Sequence, residues 1–148
     1  MNETEIRGLY QSIIDRWNAR DAAGFAALFT EEGQCVGFDG SELDGRGEID
    51  ASLTAIFADH PTAPYVTSVR WVRVLGADVA LLRAVAGMIP PGQSDLNPAL
   101  NAIQTLVAVR HDEGWAAALL QNTPAAFHGR PDASAALTNE LRALVPPT

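Results

Sequence analysis

The stretch Arg16-Trp17-Asn18-Ala19-Arg20-Asp21-Ala22-Ala23-Gly24-Phe25-Ala26-Ala27-Leu28-Phe29-Thr30-Glu31-Glu32-Gly33 constrains this chain more than any other. One amphipathic helix ends there, a second short one starts at once, and a turn feeds a strand. Upstream, Ile6, Leu9, Tyr10, Ile13, Ile14 and Trp17 fall at i, i+3, i+4, i+7, i+8 and i+11. That spacing makes one apolar stripe on a helix expected from about Thr4 to Arg20. Asp21 suits the N-cap of the second helix, whose apolar side carries Phe25, Leu28 and Phe29. Gly33 is expected to stop that helix, and Gln34 to Phe38 to form a short strand before the Asp39-Gly40 turn.

Gly45-Arg46-Gly47 leads into a third expected helix, about Glu48 to Ala58, with Ile49, Leu53, Ile56 and Phe57 at helical spacing. Pro61 and Pro64 end it. From Tyr65 the period changes from helical to alternating. Tyr65–Leu75, Asp78–Ile89, Leu100–Arg110 and Trp115–Thr123 are rich in Val, Leu and aromatic residues and read as four long strands. Gly76-Ala77-Asp78 and His111-Asp112-Glu113-Gly114 are short connections, which makes the neighbouring strands antiparallel hairpins. A longer loop runs from Pro90-Pro91-Gly92 through Asn97-Pro98. A last helix is expected at about Ala133 to Leu144, before a Pro-Pro stop. Helices followed by a run of strands give an α+β layout, expected to fill one domain over residues 1–148.

One strand adds a constraint. Val79-Ala80-Leu81-Leu82-Arg83-Ala84-Val85-Ala86-Gly87-Met88-Ile89 is apolar on both faces, and only Arg83 interrupts it. An antiparallel sheet with one wet face alternates polar and apolar residues. The helices cover one face; a second subunit is the simplest cover for the other, so a homodimer through the sheet is expected.

Composition removes several function classes. The net charge of -8 argues against non-specific binding to nucleic acid or to an anionic membrane surface. All ten basic residues are Arg. The single Cys35 excludes an internal disulfide and a multi-cysteine metal site. No stretch approaches the ~18 consecutive apolar residues of a membrane span. The first twenty residues carry Glu3, Glu5 and Asp15 and do not read as a signal peptide. The expected home is a bacterial-type cytoplasm. His60, His111 and His128 lack metal-ligand spacing, no Gly-rich phosphate loop follows a strand, and no Ser sits in a nucleophile elbow, so no metal or cofactor is expected.

Several side chains are candidates for a site. Asp39 follows a strand and can reach a pocket mouth; a carboxylate in an apolar pocket has a raised pKa and acts as a general base. The same residue also fits a plain turn. Arg83 must be paired if buried. It either holds a substrate carboxylate or enolate oxygen, or forms a structural pair with an acid such as Asp15. Gln104 and Gln121 stand among apolar neighbours and can orient a carbonyl or hydroxyl of an apolar ligand. Trp17, Trp71 and Met88 are candidate pocket walls.

Four local features together resemble the NTF2-like superfamily and, within it, the SnoaL-like group. They are Trp17-Asn18-Ala19-Arg20-Asp21 with Phe25 and Phe29, Gly45-Arg46 before the third helix, Trp115 opening the last strand, and Gln121-Asn122-Thr123 ending it. The branch they resemble most is the SgcJ/EcaC type found with secondary-metabolite biosynthesis. The resemblance implies a cone: a strongly bent, mostly antiparallel sheet wrapped around the N-terminal helices, with an apolar pocket open at one end, and dimers through the sheet. It implies a polyketide-like or aromatic small-molecule ligand, either converted by cofactor-independent acid–base chemistry of the isomerase, cyclase or hydratase type, or simply bound and carried. In the catalytic case Asp39 is the base, with Arg83 and Gln121 polarising or orienting.

Overall fold

Helix α1 spans Asn2–Asn18 in the computed structural model of the chain, which describes residues 2–111 and 114–146. Its stripe is buried as the spacing predicts, with Ile6 and Ile13 fully enclosed. The helix ends in a Schellman turn. The Arg20 amide donates to the Trp17 carbonyl and the Asp21 amide to the Arg16 carbonyl, both at 2.9 Å, while Arg20 takes φ 59°. Arginine in this left-handed position is held by its side chain. The Arg20 guanidinium donates to the Phe57 and His60 carbonyls and to Thr62 Oγ1, so it caps the C-terminal end of another helix. Asn18 exchanges two hydrogen bonds with the Tyr65 backbone. Asp21 accepts from the Gly24 amide at 2.9 Å and caps α2, Ala22–Ala27. One five-residue joint thus fixes α1, α2, the next helix and a strand.

Strand β1 is Phe29–Val36, β2 Glu42–Asp44, and helix α3 Arg46–Asp59. Three expectations change here. Phe29 belongs to β1 rather than to α2. Gly33 lies inside that strand, where pairing shifts register between Phe29 and Gln34, instead of ending a helix. A Cβ at Gly33 would stand 2.9 Å from the Ala117 carbonyl oxygen, so close backbone approach, not helix termination, requires this glycine. Strand β2 was not expected.

The four long strands are β3 Tyr65–Gly76, β4 Val79–Met88, β5 Ala102–His111 and β6 Gly114–Pro124, and the last helix is α4 Pro131–Arg142. The Asp112-Glu113 part of the last hairpin connection and Pro147 of the Pro-Pro stop lie outside the described residues. The sheet runs β2-β1-β6-β5-β4-β3. Every neighbouring pair is antiparallel except β1 and β6, which are parallel. This is an open, bent, mostly antiparallel sheet around α1: an α+β cone. No helix among the described residues is long and apolar enough to cross a membrane.

The two sheet faces differ. Ala80, Leu82, Ala84, Leu106, Ala108 and Ala117 point inward and pack with α1 in the main core. The alternate residues point outward. There α4 covers one end of the sheet, setting Leu137 and Leu141 on Val85 and Ile103. A Cβ at Gly87 would sit 2.9 Å from Leu141 Cδ1. The outer face therefore has an intramolecular cover at one end.

Two ion pairs pin α4: Arg70 to Glu140, and Arg142 Nε to Asp95 Oδ1 at 3.0 Å. Hydrogen bonds from these arginines hold both carboxyls below the usual carboxylate range. A depressed folded-state pKa contributes stability above the unfolded value, and that contribution fades as pH falls through the folded value. Both pairs face solvent, so each is a weak tie. On acidification, amide exchange in α4 is expected to rise before exchange in β4. Simultaneous loss of protection in both would show that these pairs do not set the docking of α4.

Candidate functional site

The inward faces of β5 and β6 do not fill the cone. A cavity of about 390 Å³ opens between them, α1, α2 and α3. Trp17, Phe25, Leu53, Tyr65 and Leu120 are part of its apolar wall. Trp17 is fixed by its Nε1, which donates to the Ala63 carbonyl at 3.2 Å, and by edge contacts with Phe25 and Phe57. Met88 and Leu100 border the cavity from the β4–β5 side, and the β1–β2 turn from the other. A wider hollow of about 580 Å³ flanks the start of α4 among His128, Arg130, Ser134 and Asn139. It is an open surface depression with mixed polar and apolar walls and encloses little; the apolar cavity is the better container.

The polar part of the cavity is small. Gln104 is 1% exposed and stands opposite Asn122 in the β5–β6 register. Its Nε2 donates to Asn122 Oδ1 at 2.7 Å, and its Oε1 accepts from the Tyr10 hydroxyl. Asn122 Nδ2 donates to the Val36 carbonyl at 3.1 Å. Tyr10 stands in the α1 stripe and Asn122 in the Gln121-Asn122-Thr123 feature, and the structure puts both in one hydrogen-bonded line with Gln104.

The buried thiol and phenol at the cavity are held in their neutral forms. Burial pushes the Cys35 thiol and the Tyr65 hydroxyl each up to about 12, so both stay protonated at neutral pH. Burial thus disfavours the reactive thiolate form of Cys35. Asp39 lies at the mouth, with Oδ1 accepting from the Ser41 amide at 2.9 Å and Oδ2 from the Ser41 hydroxyl at 3.0 Å. These bonds lower its pKa, the Ser41 amide most, and the carboxyl is in water. The direction is opposite to the raised value expected of a pocket base, because the turn at 37–41 holds the side chain outside the apolar wall.

The candidate residues therefore divide. Trp17, Met88, Gln104 and Asp39 border the cavity. Trp71, Arg83 and Gln121 do not: they share an outward-facing row, Trp71 opposite Arg83, Arg83 opposite Thr105, and Thr105 opposite Gln121. Arg83 Nε donates to Thr105 Oγ1 at 3.2 Å, and its guanidinium lies 5.2 Å from the Trp71 ring. Asp15, the acid suggested for Arg83, accepts from Gln11 on its own helix. Asp39, Arg83 and Gln121 are thus not assembled around one ligand. Among the described residues no three His, Cys, Asp or Glu side chains gather as a metal site.

Comparison with known proteins agrees with this architecture. No curated protein matches the chain. A structure from Nostoc punctiforme, described as a domain of unknown function with a cystatin-like fold, superposes with a TM-score of 0.79 and 28% identity, covering 95% of this chain and 94% of that one. An NTF2-like protein with a cystatin-like fold from Novosphingobium aromaticivorans gives 0.68 at 23% identity, covering 90% and 86%. A ketosteroid isomerase-like protein from Erwinia carotovora atroseptica gives 0.68 at 15% identity, covering 83% and 95%. The model of the SnoaL-like domain matches residues 6–121, which include most of α1, the joint and the strands around the cavity as far as Gln121, and the chain belongs to this family within the NTF2-like superfamily.

Proposed function

We propose that this protein binds an apolar or aromatic small molecule in the cone, of the polyketide-like kind that its resemblance to the SgcJ/EcaC branch suggests, within bacterial secondary metabolism. The observation that carries the reading is the apolar cavity with one short polar line, Gln104 and Asn122, on its sheet side. Binding has more support than acid–base conversion, because the carboxyl at the cavity, Asp39, is exposed and held ionised by Ser41. A catalytic role remains the second reading, favoured by the position of Asp39 at the mouth.

The reading includes a homodimer through the part of the outer sheet that α4 leaves open, where Leu81, Val107 and Leu119 are half-buried. It also includes one domain over the whole chain and a cytoplasmic location, which cell fractionation tests.

Apolar aromatic ligands are expected to raise the melting temperature of the purified protein, and Leu53→Trp, which fills the cavity wall, to abolish the shift. No shift with any ligand of this kind would sink the reading. Asp39→Asn is expected to leave ligand binding within about twofold, since an exposed group contributes little. If a turnover is found and Asp39→Asn removes it, the catalytic reading takes precedence.

A further inference from the structure

The hydrogen-bonded line at the cavity has a direction that one backbone group sets. The Val36 carbonyl only accepts, so Asn122 must turn Nδ2 toward it. Asn122 Oδ1 then faces Gln104, which must present Nε2. Gln104 Oε1 is left toward α1, and the Tyr10 hydroxyl donates to it. Tyr10 can serve this role at any physiological pH, because burial raises its pKa. Each amide has now used one hydrogen and one oxygen lone pair. Each keeps a second N–H hydrogen, and both residues border the cavity. A buried N–H without an acceptor is rarer and costlier than a carbonyl with a spare lone pair. The unmet demand in the cavity is therefore for an acceptor.

Charge narrows the ligand further. No Arg or His is among the described lining residues, and the acid at the mouth, Asp39, is negative. A carboxylate would lose its hydration without gaining a counter-ion. Building on the cavity as a ligand site, we propose that it recognises an uncharged apolar molecule by a carbonyl oxygen, held by the spare amide hydrogens of Gln104 and Asn122, and that it turns carboxylates away. Val36 acts as a positioning group through its backbone: it fixes which end of each amide the ligand meets.

Three probes of one shape test this in the full-length protein by calorimetry: 2-acetylnaphthalene, 2-ethylnaphthalene and 2-naphthoate. The ketone is expected to bind about tenfold more tightly than the hydrocarbon, the worth of one good hydrogen bond in a dry site, with the carboxylate weakest. Gln104→Leu should shrink the ketone-to-hydrocarbon ratio while hydrocarbon binding persists. Tyr10→Phe should keep the ratio, since the direction comes from Val36. Should Gln104→Leu not fold, the wild-type series and Tyr10→Phe still decide. Equal binding of ketone and hydrocarbon overturns the inference and leaves the cavity reading intact. So does a carboxylate that binds as tightly as the ketone, or a ratio lost in Tyr10→Phe. Failure of all three probes to bind sinks the cavity reading, and the inference with it.

Discussion

Phe29→Ala is expected to destabilise the fold by about 3–5 kcal/mol, the usual cost of emptying a fully enclosed phenylalanine site. Phe29 is 0% exposed and its ring lies 5.3 Å from that of Phe25. Its position limits relaxation. The Phe29 carbonyl accepts from Arg46 Nη2 at 2.7 Å and from Nε at 3.1 Å, which ties the start of α3 to the start of β1. The Gly33 backbone lies directly behind, with Ala117 on β6 beyond it. With the backbone pinned on three sides, the surroundings cannot collapse into the hole. At roughly 2–4 °C per kcal/mol for a chain of this size, the melting temperature should fall by about 10 °C. Leu75→Ala, at a side chain 58% exposed on the β3–β4 hairpin, is the comparison and should change stability by less than about 0.5 kcal/mol. Similar losses in the two variants would show that Phe29 is not a core anchor.

The elements that strong periodicity marks are the ones legible in the sequence. The α1 stripe and strands β4 and β5 each bury one face along many residues, so pattern and burial coincide there. Strand β2 was missed for the opposite reason: its three residues carry no apolar pattern, with Glu42 and Asp44 exposed and Leu43 half-buried. The Gly33 error has a similar origin. A glycine after Phe25, Leu28 and Phe29 looks like a helix stop, and only the approach of β6, distant in sequence, gives it another purpose.

The site was harder to read than the fold because face depends on parity. Counting back from the hairpin end, where His111 pairs with Gly114 and Arg110 with Trp115, an uninterrupted ladder would set Gln104 opposite Gln121. A register shift between Val107 and Ala108 places one extra residue, Ala118, on β6. From there every β6 side chain changes face. Asn122 turns into the cavity and Gln121 turns out, beside Thr105 and Arg83. One bulge, silent in the sequence, thus exchanges the second polar group of the cavity. Arg83 was legible as an oddity in an apolar strand, but its partners, Thr105 and the Trp71 ring, come from neighbouring strands whose register the sequence does not state. The outward cover by α4 was also invisible, because an amphipathic helix does not announce which face of a sheet receives it.

Gln104→Glu changes almost no volume and is nevertheless expected to be among the most damaging substitutions at neutral pH. The new carboxyl would occupy a site 1% exposed, facing Asn122 Oδ1 on one side and the Tyr10 hydroxyl on the other. Burial raises a carboxyl pKa by up to about 3 units or more, and each unit corresponds to about 1.4 kcal/mol. The Tyr10 donor offsets part of this; the oxygen-to-oxygen contact with Asn122 opposes it. A loss of about 3–4 kcal/mol at pH 7 follows. The pH dependence has a definite sign. The folded-state pKa of the introduced acid lies above its unfolded value of about 4.3, so the penalty is absent below that value and grows as pH rises toward the folded one. In the protonated form the acid O–H donates to Asn122 Oδ1 and the C=O accepts from Tyr10, which restores both bonds of the amide. Denaturant midpoints of wild type and variant should therefore converge near pH 4 and separate steadily up to pH 7. A gap that stays constant with pH would mean that Gln104 matters for shape alone, and that the line from Tyr10 to Val36 does not require a donor at its centre.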